Sequence, residues 1–167
     1  ERCITRTVPR LPGLYNNNYQ IFQTRGYVVI LMEMIHEARI VPLDPRPQLA
    51  EDIEQWNGDS RGHWESDTLV IETTNFTAKT NFRGSTDHLH LVERLTRVDA
   101  DTIDYQFTVT DPTTWTRPWT ATVMLRHTPD QIYEMACHEG NEGLPGALSG
   151  YRAQERKAQL AEKKGSK

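Results

Sequence analysis

The chain has 167 residues, a net charge of −4 and 37% hydrophobic residues, which suffices for one domain with one proper core. Its cations are scattered until the C-terminal tail, which excludes the basic stripe of a nucleic-acid binder. No apolar run approaches the ~20 residues needed to cross a membrane.

The sequence opens at Glu1 without a methionine or a charged-then-apolar leader. It reads as a mature or truncated product of a bacterial export route, secreted or periplasmic, whose signal peptide is absent from the chain. Residues 1–18 carry two prolines, a glycine and Asn16-Asn17-Asn18, the composition of an irregular entry segment. Tyr19 to Thr24 and Tyr27 to Val41 are rich in β-branched and aromatic residues and predict two strands around a turn at Arg25-Gly26. On an unbroken second strand, Val28, Ile30, Met32, Met34, His36, Ala38 and Ile40 share the more apolar face. His36 is then expected to point into the core or a cavity mouth.

Residues 42–58 predict a long proline-bearing loop with one helical turn near Leu49 to Trp56. Hairpins follow: Gly62 to Glu65 with Thr68 to Thr74 around Ser66-Asp67, and His88 to Val98 with Thr102 to Thr110 around Asp99-Ala100-Asp101. A third pair joins Arg117 to His127 with Gln131 to His138. Residues 139–150 read as glycine-rich coil and 151–167 as a charged helix or frayed tail. Eight or nine sequential strands with almost no helix predict an all-β, antiparallel, lipocalin-like β-barrel over residues 1–150. Closure would remove the exposed edges.

Gly58, Asp59, Ser60, Gly62, Trp64, Glu65, Asp67, Thr68 and Leu69, then Leu89, His90, Glu93 and Arg94, then Asp111, Pro112, Thr116, Pro118 and Trp119, form a spaced pattern. On these residues roughly 1–150 resemble a family of secreted hypothetical proteins of soil bacteria. The IHEARIVPLD and ACHEGN segments are also similar to that family. Its members are longer at the N-terminus, which implies that this chain is a C-terminal portion. The resemblance implies no reaction. Ser66 departs from it, since the family has glycine there.

Several residues could carry chemistry. His88 and His90 alternate on a predicted strand and so face one way. With His138 or His36 from a neighbouring strand they would make a three-histidine zinc site that leaves one position for water. The plainer reading is two histidines on a solvated face. His36 is otherwise a candidate general base. If Leu89, Leu91 and Leu95 face inward, Glu93 is buried with them and needs a cation such as Arg39. Glu93 is thus a catalytic acid or half of a structural ion pair. If the phase is opposite, His88, His90 and Arg94 line a polar cavity, and alternation alone does not choose. Glu139, beside His138, is a second acid/base candidate.

Trp115 and Trp119 beyond Asp111-Pro112 read as a packed corner or as an aromatic platform for a ligand. Cys3 and Cys137 are two separate thiols or one disulfide formed in an oxidising compartment.

Two functions follow. The first is a hydrolase or lyase, zinc-dependent or metal-free, acting on a small molecule. Its catalytic residues are His36, Glu93 and Glu139, its metal ligands His88, His90 and His138, and its substrate contacts Arg39, Arg94, Trp115 and Trp119. The alternative is a non-catalytic barrel that holds a small apolar or aromatic ligand and needs no cofactor. In both the partner is a small molecule, and a homo-oligomer stays open.

Overall fold

The computed structural model describes residues 4–6, 8–79, 82–137, 139 and 142–165. It is mostly β, with two antiparallel sheets and one C-terminal helix. The chain divides into a β unit, Ile4–Met135, and a second unit that holds the helix.

The first sheet contains β1 (Tyr19–Thr24), β2 (Tyr27–Met32) and β3 (Ala38–Pro42), in the order β1-β2-β3. The second is a five-stranded meander of β4 (Asp59–Glu65), β5 (Thr68–Thr74), β6 (His90–Arg97), β7 (Thr102–Thr110) and β8 (Trp119–Arg126). Every neighbouring pair in both sheets is antiparallel. No ladder among the described residues joins the two sheets into one closed tube.

Alternation sets the inner faces. Leu91, Glu93 and Leu95 of β6 are buried, as are Tyr105, Phe107 and Val109 of β7, while His90, Val92 and Arg94 look the other way. Val28, Ile30 and Met32 of β2 and Val41 of β3 join them in one apolar core between the sheets. The β4–β5 turn has the predicted two residues, and Ser66 adopts φ 54°. A positive φ at this position explains why glycine suits it.

Three expectations need correction. The run from Tyr27 to Val41 is not one strand: a 3-10 turn, Met34–His36, interrupts it, with Ile35 at φ 63° and His36 at φ 59°. The interruption changes the parity of the run, so Arg39 and Val41 face the core while Ile40 is exposed. His36 is exposed as well, and does not enter the core. Second, Gln131 to Met135 pairs with no strand. Third, the C-terminal helix α1 (Gly143–Gly165) starts inside the stretch read as coil, and Pro145 sits in its first turn, where a missing N–H costs nothing.

Gly62 of β4 marks where β3 approaches closely. A Cβ there would lie 2.8 Å from Val41 Cγ1 and 2.9 Å from Leu43 Cδ2. Gly62→Ala is therefore expected to cost about 1–3 kcal/mol through overpacking, read as a lowered midpoint in thermal unfolding. An unchanged midpoint would mean that β3 can draw back without loss.

Candidate functional site

The inner faces of the two sheets enclose a buried polar network. Arg39 of β3 donates from Nε to Ser60 Oγ at 2.9 Å and from Nη2 to Thr73 Oγ1 at 2.6 Å. The Ser60 and Thr73 hydroxyls are 3.1 Å apart. Glu93 Oε2 lies 2.6 Å from Arg39 Nη2, a close ion pair. The Tyr105 hydroxyl donates to Glu93 Oε1 at 2.7 Å. One cation from the small sheet is thereby held by groups from three strands of the large one, and Tyr105 of a fourth braces the carboxylate. Burial, then the Glu93 carboxylate, pushes the Tyr105 phenol well above its ordinary range.

This network forms one wall of a cavity of about 30 Å³, completed by Val8, Arg10, Tyr19 and Ile21. The space takes about two water molecules. A much larger cleft, about 910 Å³, shares Arg10, Tyr19, Ile21, Tyr105 and Leu125 with it. The cleft is flanked by β1 and β8, the outer strands of the two sheets.

The reason for this opening lies in the strand count. A three-stranded sheet cannot cover five strands, so the inner side chains of β8 (Ala121, Val123 and Leu125) stay half-buried while Tyr105, Phe107 and Val109 of β7 are sealed. Ile21, the inward residue of β1, is 38% exposed, whereas its register partner Ile30 is 8% exposed. Burial pushes the Tyr19 phenol up to about 12, against the opposing pull of Arg10.

The residues proposed from sequence are dispersed. Glu93 and Arg39 meet, as the ion-pair reading expects. His90 lies on the outer face of the large sheet, its Nε2 2.7 Å from Glu72 Oε1, and Arg94 on that face donates to Glu65 Oε2 at 2.7 Å. His88 precedes β6 in an exposed turn beside Asp87. Neither cavity is lined by His36, His88 or His90. Among the described residues no three His, Cys, Asp or Glu side chains group closely enough to hold a metal ion. His138 lies outside the described residues, and Glu139 is exposed in the second unit.

Trp115 and Trp119 meet edge to face at 5.8 Å, and Trp119 stacks on Phe82 at 6.1 Å, so both rings are engaged in a packed corner. Cys137 is disulfide-bonded, and Cys3, the chain's other cysteine, lies outside the described residues.

Sequence reasoning missed Arg10, Tyr19 and Tyr105 as site residues. Tyr105 was within reach, since Tyr105, Phe107 and Val109 alternate onto the same face as Leu91, Glu93 and Leu95. Arg10, in a proline-flanked irregular segment, carries no periodic signal. Comparison with protein-family models, with curated proteins and with solved structures finds no match.

Proposed function

We propose that this protein binds a small, largely apolar or aromatic molecule in the cleft between β1 and β8. The two sheets then act as the halves of an opened, lipocalin-like barrel. The observation that carries this reading is the incomplete seal: inward apolar side chains of both edge strands remain accessible around a space of about 910 Å³. That volume lies in the range of small-molecule sites. The hydrolase reading is second, because its histidines would have to share one opening, and His36, His88 and His90 line neither cavity. The proposal includes export to an oxidising compartment, which the disulfide at Cys137 supports. It also includes kinship with the secreted bacterial family whose motif the sequence resembles.

Titration with the neutral fluorophore N-phenylnaphthylamine tests the reading. Saturable fluorescence enhancement is expected, with affinity reduced about tenfold or more by Val123→Trp, which fills the cleft from β8. No saturable binding, or binding indifferent to that substitution, would refute it.

A further inference from the structure

The cleft, which Asp101 and Asp130 also line, holds a guanidinium without an ion-pair partner at its inner end. Arg10 is the one cation other than Arg39 that lines the small cavity, and it lines the large cleft as well. Arg39 is already neutralised by Glu93. Arg10 has no carboxylate within ion-pair distance among the described residues, and its guanidinium makes one hydrogen bond, from Nη2 to the Asn16 carbonyl at 2.9 Å. The other guanidinium groups of the cleft are differently placed: Arg97 spends its N–H groups on the carbonyls of Asp99 and Ala100, and Arg126 extends from the exposed face of β8.

A half-buried guanidinium with most of its five donors free, set among Tyr19, Ile21 and Leu125, is poorly hydrated, and its charge is countered only at a distance, by Glu33. An anionic group entering the cleft would gain a charge-assisted, bidentate contact there, and its apolar body would cover the side chains of β1 and β8.

We infer that the cleft selects molecules with an aromatic or apolar body and a single anionic head, carboxylate or sulfonate, with Arg10 as the residue that holds the head. This inference rests on the proposed binding function and adds the class of ligand.

Two fluorophores of one scaffold test it: N-phenylnaphthylamine, which is neutral, and anilinonaphthalene sulfonate, which adds one negative charge. The sulfonate is expected to bind the wild-type protein about tenfold more tightly, the worth of one charged hydrogen-bonded contact. Arg10→Gln should remove that advantage and leave the neutral probe within about twofold of its wild-type affinity. Arg10→Lys should retain part of it. Arg25→Gln, an exposed cation in the β1–β2 turn, should change neither probe. Cooperative thermal unfolding of each variant establishes that it is folded. Should Arg10→Gln not fold, the wild-type preference is read from salt, which should weaken the sulfonate alone.

Equal affinity for both probes, unaltered by Arg10→Gln or by salt, overturns the charge selection while leaving the cleft as a site. Absence of binding by either probe overturns both.

Discussion

Arg39→Ala is expected to destabilise the protein by about 3–5 kcal/mol, because it strands the Glu93 carboxylate in the core with its charge uncompensated. Both side chains are nearly sealed, with relative exposures of 6% and 4%, so water cannot replace the lost cation. The substitution also removes the donors that Ser60 and Thr73 accept from. Glu93→Ala should cost a similar amount, since it leaves the guanidinium unpaired. The double change Arg39→Met with Glu93→Leu should recover most of either loss, because well-packed apolar side chains can replace a buried ion pair at little cost. Urea unfolding followed by tryptophan fluorescence measures all three. A loss below about 1 kcal/mol for Arg39→Ala would show that the pair is not what registers β3 against β4, β5 and β6.

The second large effect belongs to Asp111. This carboxylate is 1% exposed, and it accepts from the backbone N–H of Thr86 at 2.6 Å and of Thr113 at 3.0 Å, and from the hydroxyls of Thr86, Thr113 and Thr114. Burial alone would raise its pKa, but these donors outweigh that and hold it well below the usual carboxylate range. A folded pKa below the unfolded value of about 3.9 gives stability that is fully present above that value and fades as pH falls beneath it. Asp111→Ala is expected to cost about 2–4 kcal/mol near neutrality, because the backbone N–H groups of Thr86 and Thr113 and three threonine hydroxyls lose their charged acceptor together. It should also flatten the decline of stability between about pH 5 and pH 2. Thermal midpoints measured across that range check both. A variant with the wild-type acid slope would place the acid sensitivity elsewhere.

The same residue shows how sequence and structure correspond. Asp111-Pro112 followed by Trp115 was legible as a rigid corner. Its physical content is an Asp that folds the chain back on itself, since the amides of Thr114 and Trp115 also bond to the Asp111 carbonyl. The β4–β5 and β6–β7 hairpins were legible because Asp-centred turns separate segments of plain alternation, whereas β8 pairs with β7 and not with Gln131 to Met135. Within them, alternation left two phases open; in the one with Leu91 and Leu95 inward, Glu93 is a buried acid in need of a cation, and Arg39 supplies it.

What the sequence concealed is equally specific. Glu33 to Glu37 contains neither Gly nor Pro, so nothing marks a break there, and a β-branched residue at positive φ such as Ile35 runs against local preference. That hidden break moved His36 outward and brought Arg39 in. Alternation supplies the face of each side chain but not how far two sheets of unequal width cover one another. The opening between β1 and β8 was therefore beyond reach of pattern alone.

Amide NMR of the labelled protein titrated with N-phenylnaphthylamine is the most direct check on the cleft. Shifts confined to Gln20 and Ile21, Ile103 and Tyr105, and Val123 to Leu125, the walls of the space between the edge strands, are the predicted result. Shifts centred instead on His63, Glu72 and Arg94, on the outer face of the large sheet, would contradict the account.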